Sequence, residues 1–407
     1  MTPQAMTRQA TKPQGMKPVF VVGGLYSQAN GVARIMRGLA DALGRAGSPV
    51  TVYGAECFGR DSIGQIFERP SRWVGARGFW LGGLSWSPGL KRLMREGICG
   101  ADVVHNHSVW MLPNSYGSRI AAAVKKPVVI TAHGTLESWA LARSRWKKRA
   151  VGLLFQNRDL RSADCLHVNS RDEIEGIRAF GLKCPVAVIP NGIHLPDLEP
   201  LPPADVFREA FPATRGKKIA LFMARLHVKK GLEHLLRAWA GLAGQFADWQ
   251  LVVAGPDRGF GEQAARLVKE LDITRTVTFT ANLEGNLRLA ALSTAEVFVL
   301  PSFSEGFSMA VLEALACRLP ALITPGCNFQ AASAAGAAIE VEPTVQGAQE
   351  GLTRLLSASD EERRQMGERG RALIERDYTW DCVAEQTLAL YRWLCGNGPR
   401  PASVIEN

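Results

Sequence analysis

Several features are missing from this sequence, and each absence excludes a class of protein. No apolar run approaches the roughly 20 residues that a bilayer-spanning helix needs, so no membrane span is read. The 8 cysteines (Cys57, Cys99, Cys165, Cys184, Cys317, Cys327, Cys382 and Cys395) are scattered and form no Cys-x-x-Cys pair. They read as small core residues of a reduced, cytosolic protein rather than a disulfide frame or a zinc site. There is no Gly-x-Gly-x-x-Gly, which weakens a dinucleotide reading, and no Asp-x-Asp. With 40 Gly and 22 Pro in 407 residues, collagen-like and low-complexity material is excluded. Residues 1–17 are polar and lack the apolar core of a signal peptide; they are expected to form a disordered lead-in.

What is present suits a globular protein: 46% hydrophobic and 21% charged residues over a length that predicts two domains. The formal net charge is +10, and it is unevenly placed. Residues 1–205 hold 26 Lys and Arg against 15 Asp and Glu, a net of +11, leaving 22 against 23 for the rest. Six of the 10 tryptophans (Trp73, Trp80, Trp86, Trp110, Trp139 and Trp146) lie in that basic half. A basic surface of this size fits nucleic acid, anionic lipid or an acidic small ligand.

Short apolar strands alternate with helical patterns along the whole chain. In the first half, strands are read at residues 18–22, 49–53, 102–105, 127–132, 165–169 and 186–189, with a helical pattern over 32–47. No acidic residue ends the second of these, where Tyr53-Gly54-Ala55 stands. A Pro-rich stretch follows at Leu195–Pro203, and then the rhythm restarts with strands at 218–223, 250–254, 277–280, 297–300 and 321–324. Helices at 360–376 and 380–394 end the pattern. This alternation implies parallel sheets covered on both faces, in two Rossmann-like domains across a cleft. Expected boundaries are 18–200 for the first domain, 201–216 for a linker and 217–378 for the second. The helix within 379–396 is expected to pack back on the first domain. Ligands of such sheets bind beyond the C-terminal strand ends.

The most specific segment there is Leu300–Pro320. Gly306 would let backbone approach a ligand, and the N–H groups of Phe307 and Ser308 would face an anion at a helix start. Glu305 precedes that helix and Glu313 lies two turns along it; two separated carboxylates suit two diol groups, although each also fits an ordinary helical glutamate. After the strand at 218–223, Arg225, Lys229 and Lys230 form a cationic loop suited to a diphosphate, or simply a solvated one. Gly23-Gly24 opens a glycine-bearing strand-to-helix loop. His105, His107 and His133 follow strand ends, read as packed imidazoles or, for His133, as a group opening into the site. Asn191-Gly192 marks a turn after the strand at 186–189.

Taken together, Glu305-x7-Glu313 within Pro-Ser-x-x-Glu-Gly-Phe, the Arg225 to Gly231 loop, Asn191-Gly-Ile and His133-Gly resemble the family 4 glycosyltransferases of the GT-B fold. The stretch from His107 to Lys148 is similar to bacterial enzymes that build exopolysaccharide or lipid-linked glycans. The resemblance implies retaining transfer from a UDP- or GDP-sugar, with no metal or other cofactor, to a glycan or polyprenyl-linked acceptor. It assigns Arg225 and Lys230 to the leaving diphosphate, the Phe307 and Ser308 N–H groups to phosphate, Glu313 to the ribose and Glu305 to the donor sugar. His133 would meet the donor sugar or the reacting oxygens, and Gly24 would let its loop close over the diphosphate.

Two departures stand out. Arg318 replaces a glycine usual after Ala-Cys, and Thr324–Phe329 replaces a glutamate-and-glycine segment; both bear on donor recognition. Other enzymes of the same architecture, a sugar-nucleotide epimerase or a phosphorylase, are the alternative, although no acid/base set or pyridoxal lysine is identified for them. Nucleic acid binding would leave Glu305 and Glu313 without a purpose. The basic half, with Arg143–Arg149 and the tryptophans Trp73, Trp80 and Trp86, suits an anionic membrane surface, predicting a cytoplasmic protein held peripherally on the inner face of the membrane.

Overall fold

A computed structural model describes residues 15–23, 31–56, 70–79, 84–136, 141 and 145–406. The chain divides into two compact units: residues 1–167, 181–187 and 384–407 form one, and residues 168–180 and 188–383 the other.

The first unit is built on a sheet whose strands are β1 (Pro18–Val22), β2 (Thr51–Glu56), β3 (Arg72–Arg77), β4 (Val103–His107), β5 (Val128–Thr131), β6 (Cys165–Val168) and β7 (Val186–Val188). Its order is β7-β6-β5-β4-β1-β2-β3, all parallel, with Val404–Ile405 added antiparallel to β7. β1, β4, β5 and β6 are buried along their whole length; β1 accordingly reads as a continuous apolar run, while β4 also buries His105, Asn106 and His107. β2 extends past Tyr53 to Glu56, so an acidic residue does end it. That carboxylate accepts the indole N–H of Trp73 at 3.1 Å, and the Trp73 ring packs over Gly54. Trp73 is thus a packing residue of the β2–β3 pair and not an interfacial aromatic.

The second unit carries β8 (Lys218–Met223), β9 (Trp249–Ala254), β10 (Val277–Ala281), β11 (Val297–Leu300), β12 (Ala321–Ile323) and β13 (Ala338–Glu340). They form one parallel sheet in the order β10-β9-β8-β11-β12-β13. Counted within the unit this is 3-2-1-4-5-6, the doubly wound order, with its reversal between β8 and β11. Packed on it are the helices Leu232–Ala240, Gly261–Glu270, Gly285–Thr294, Met309–Ala316 and Val345–Ser357.

Two expectations change. The stretch expected to link the domains is folded: Ala204–Ala210 is a helix, Phe207 is fully buried in the second unit's core, and the Ser293 hydroxyl donates to the Pro202 carbonyl at 2.6 Å. One buried aromatic is enough to hold so short a helix against the sheet, and proline spacing alone does not reveal it. The last residues of the expected disordered lead-in are also fixed, since the Met16 N–H donates to the Ser48 hydroxyl at 3.0 Å and the Lys17 N–H to Asp102 at 2.8 Å; residues 1–14 lie outside the described residues. The helix Trp380–Leu394 begins in the second unit, and from Ala384 onward it belongs to the first.

Phe207→Ala leaves a cavity where a true linker would lose nothing. It is expected to lower stability by about 3–5 kcal/mol, measured as a shift of the urea midpoint; an unchanged midpoint would return the segment to linker status.

Candidate active site

In the second unit, topology brings the predicted residues together. The reversal between β8 and β11 opens a crevice beyond their C-terminal ends, and the two loops that leave those ends are 224–231 and 301–308. They hold Arg225, Lys230, Glu305, Gly306, Phe307 and Ser308.

The loops are locked to each other by backbone. The Lys229 carbonyl accepts the Phe303 N–H at 2.7 Å and the Ser302 hydroxyl at 3.0 Å. Gly231 has φ +67°, and a Cβ there would stand 1.9 Å from the Pro301 carbonyl oxygen, so only glycine fits. This contact sets Lys230 against the second loop, where its ammonium donates to Glu305 Oε1. Both side chains are nearly buried, at 11% and 12% exposure. An ammonium has three donors, so the pair leaves Lys230 with further N–H capacity. Arg225 is exposed on the first loop, beside Leu226, whose N–H donates to the Pro256 carbonyl at 2.9 Å.

A third segment, which the sequence marked only as a departure, supports this arrangement. The Thr324 hydroxyl donates to the Ser302 carbonyl, and the Gly326 carbonyl accepts the Glu305 N–H at 2.7 Å. Asn328, in the left-handed region at φ +55°, donates to the carbonyls of Glu305 at 2.6 Å and Gly306 at 3.3 Å. Asparagine tolerates that conformation better than most residues, and Pro-Gly-x-Asn is the turn signal that could have identified it. The replacement segment therefore holds the backbone of the Glu305 loop.

Ser308 caps the helix Met309–Ala316, its hydroxyl accepting the Val311 N–H at 3.5 Å. The backbone N–H groups of Phe307 and Ser308 make no hydrogen bond among the described residues. The Phe307 ring packs against Phe329 at 5.0 Å and Tyr378 at 6.0 Å between centroids, which anchors the residue at the helix start. Glu313 is buried on the same helix and pairs with Arg288 of the helix Gly285–Thr294 at 2.6 Å. Sequence reasoning missed Arg288, since nothing in its spacing distinguishes it from a surface arginine. Arg318, after that helix, adopts φ +62°, the conformation that makes glycine usual there, and pairs with Glu368 at 3.2 Å. Asn191-Gly192 is a packing site: a Cβ on Gly192 would stand 2.7 Å from the Trp380 side chain.

In the first unit the sheet reverses between β1 and β4, and histidines gather at the C-terminal ends of β4 and β5. His105 is hydrogen-bonded to the Tyr391 hydroxyl and to the Thr131 hydroxyl, both at 2.6 Å, and Thr131 in turn to His167 at 2.8 Å. His107 Nδ1 lies 3.4 Å from His133 Nε2, while His107 Nε2 and His133 Nδ1 are buried without a protein partner. Ser108, Trp110 and His133, none of them glycine, have positive φ, so the backbone is strained after these strands, as at many functional sites. Gly24 lies outside the described residues. Among those described, no group of three or more His, Cys, Asp or Glu is placed to hold a metal ion.

Burial holds His105, His107 and His133 below their ordinary values, His133 down to about 3, and the neighbouring imidazoles push the same way. The folded unit therefore keeps them neutral, whereas the unfolded chain protonates them below about pH 6.5. Their contribution to stability is complete above that pH and falls as pH drops, by about 1.4 kcal/mol per pH unit for each imidazole. Urea unfolding between pH 7.5 and 5.5 is expected to show this steep loss in the first unit, with a shallower slope in His107→Asn. A flat profile in the parent protein would mean that these groups ionise alike in both states.

The comparisons with known proteins agree with this architecture. A model described as "Glycosyltransferase Family 4" matches residues 29–196, and one described as "Glycosyl transferases group 1" matches residues 204–373. The chain is 29% identical over 312 residues to the D-inositol 3-phosphate glycosyltransferase of Mycolicibacterium paratuberculosis, covering 72% of this chain and 66% of that relative's length. It is 28% identical over 373 residues to the alpha-maltose-1-phosphate synthase of Mycobacterium tuberculosis, covering 83% of this chain and 90% of that one. Among solved structures it resembles a sucrose-phosphate synthase from Thermosynechococcus elongatus, with a TM-score of 0.72, 21% identity and coverage of 93% and 99%. It also resembles Anabaena HepE in complex with UDP and glucose, with a TM-score of 0.70, 14% identity and coverage of 92% and 98%.

Proposed function

Since the chain belongs to the family 4 glycosyltransferases, we propose that it moves a sugar, with retention at the anomeric carbon, from a UDP- or GDP-sugar to a glycan or polyprenyl-linked acceptor without a metal ion. The observation that carries this reading is the Lys230–Glu305 pair set beside the N–H groups of Phe307 and Ser308 at the sheet reversal.

Breaking the bond between the anomeric carbon and the diphosphate leaves negative charge on the leaving group. Preorganised donors placed where that charge grows lower the barrier. Lys230 has donors beyond the one given to Glu305, Arg225 supplies a planar fork of N–H groups, and the helix start supplies two backbone donors. These cations take the place that a divalent metal holds in other transferases. Glu305 accepts hydroxyls of the donor sugar. Glu313, its carboxylate oriented by Arg288, takes the ribose hydroxyls. The family resemblance assigns His133, kept neutral by burial, a hydrogen bond to the donor sugar or the reacting oxygens, and assigns Gly24 to the diphosphate.

A second reading of the acceptor has its own support. Both curated relatives are named for phosphorylated sugars, inositol 3-phosphate and maltose 1-phosphate. A sugar-nucleotide epimerase or phosphorylase on the same fold is the remaining alternative.

Purified protein given a panel of UDP- and GDP-sugars should release nucleoside diphosphate when a polyprenyl-linked glycan is supplied, and the rate should survive EDTA. Turnover only with inositol phosphate or a hexose phosphate would move the acceptor to the second reading, and loss of activity with EDTA would remove the metal-free mechanism. Glu313→Ala should raise the donor KM about tenfold with little change in kcat, because its contacts are with the ribose. Glu305→Gln should lower kcat about 100-fold or more; near-parental turnover would exclude it from the reaction centre.

A further inference from the structure

Among the described residues of the first unit, the exposed large apolar side chains are Phe79 and Trp86, whose rings pack on each other, and three on one helical segment that the proposed chemistry does not use. Residues 145–161 form a helix, Arg145–Val151, continuing through a π-helical turn, Gly152–Gln156, into Asn157–Arg161. Gly152, Phe155, Gln156, Asp159 and Leu160 are buried, a spacing of i, i+3, i+4, i+7 and i+8 that defines an inward stripe. Leu153 and Leu154 fall outside that stripe, at 85% and 72% exposure, and Trp146, one heptad before Leu153, is 72% exposed. Trp146 takes the Lys147 ammonium 5.4 Å from its ring centroid, yet its ring and both leucines stay exposed, whereas solvent-facing helix positions are ordinarily polar.

The polar residues of the same segment have one sign. Arg145, Lys147, Lys148, Arg149, Arg158 and Arg161 are its cations, and Asp159 its sole acid. Asp159 is 3% exposed and ion-paired with Arg158 at 3.0 Å, so it adds almost no negative charge to the surface. Lys148 turns toward Trp110, its ammonium 5.9 Å from the ring centroid, while Arg145, Lys147 and Arg149 stay exposed around the apolar residues.

We propose that this face docks on an anionic lipid surface, with Leu153, Leu154 and Trp146 entering the headgroup boundary and Arg145, Lys147 and Arg149 meeting lipid phosphates. The combination selects a membrane over a second protein. A protein partner matching five exposed cations would supply carboxylates but would not need a bare leucine pair, whereas an anionic lipid surface takes leucine and tryptophan into its headgroup boundary and the flanking cations onto its phosphates. Attraction to anionic lipid adds to the apolar contribution and is screened by salt. The inference rests on the acceptor being lipid-linked only for its purpose. Vesicle binding itself is read without donor or acceptor, so protein that binds vesicles but transfers no sugar to a lipid keeps this proposal and loses the other.

The test is co-sedimentation of the full chain with phosphatidylcholine vesicles carrying 0, 15 and 30% phosphatidylglycerol. Binding should rise with the anionic fraction and fall in 0.5 M salt. It should weaken about tenfold or more both in Leu153→Ser/Leu154→Ser and in Arg145→Glu/Lys147→Glu/Arg149→Glu, with unchanged thermal midpoints and unchanged turnover of a water-soluble acceptor. The proposal is overturned if the parent protein ignores anionic lipid or if both variants bind as it does. It is also overturned if the parent elutes as a dimer that Leu153→Ser/Leu154→Ser converts to a monomer, which would assign the face to a second copy. If the serine variant does not fold, the charge reversal and the salt series decide the outcome alone.

Discussion

The candidate site of the second unit depends on one close approach, between Gly231 and the carbonyl of Pro301. A Cβ on residue 231 would come within 1.9 Å of that oxygen, so the loop leaving β8 can touch the loop leaving β11 only through a glycine in the left-handed region. From that contact follow the two hydrogen bonds to the Lys229 carbonyl, and from those the position of Lys230 beside Glu305. The parallel sheet supplies the frame, because β8 and β11 are neighbours while their connections leave in opposite directions. The sheet sets which loops meet, and Gly231 sets how closely.

Charge enters this unit in matched pairs. Lys230 with Glu305 and Arg288 with Glu313 each bring an ammonium or guanidinium into partial burial together with a carboxylate. Taking either charge out of water alone would cost several kcal/mol, and the partner offsets much of that. The arrangement has a functional consequence as well. A carboxylate that a cation already orients presents its oxygens in a fixed direction, and under the proposed function a sugar or ribose hydroxyl would meet a preorganised acceptor. The same pairing keeps the second half of the chain near neutrality although its site is rich in cations.

The central strands were legible in the sequence because each is buried on both faces and reads as an unbroken apolar run, as in β1, β8 and β11. β3 and β13 were not. Each is an edge strand, half-exposed, and β3 is bounded by Arg72 and Arg77, so neither shows a run or a clean alternation. The site residues read from Leu300–Pro320 and Arg225–Gly231 are brought together by the β8–β11 reversal, and spacing along the chain already suggested that each sits past a strand. Arg288 was out of reach because its role exists only across elements, from a neighbouring helix, and the turn signal at Asn328 marks a turn but not the hold it takes on the Glu305 loop. His107 was read as packed, and its approach to His133 arises from the pairing of β4 with β5, which no single stretch of sequence contains.

The charge asymmetry takes its meaning from this contrast. A basic excess spread evenly over a surface would argue only for solubility or a diffuse attraction to polyanions. Here the nearly neutral half sets Lys230 and Arg288 in part-buried pairs with carboxylates. The basic half exposes several of its own around Leu153, Leu154 and Trp146, on a helix whose single acid is buried. Basic side chains in water carry no directional information by themselves. Placed around three exposed apolar side chains, they mark one face of the first unit, and on the proposed reading electrostatic attraction favours the encounter in which that face leads. Orientation, more than affinity, is what such a surface supplies: the protein would meet an anionic sheet of lipid with the same side every time, and the histidine-bearing strand ends would keep a fixed bearing to it.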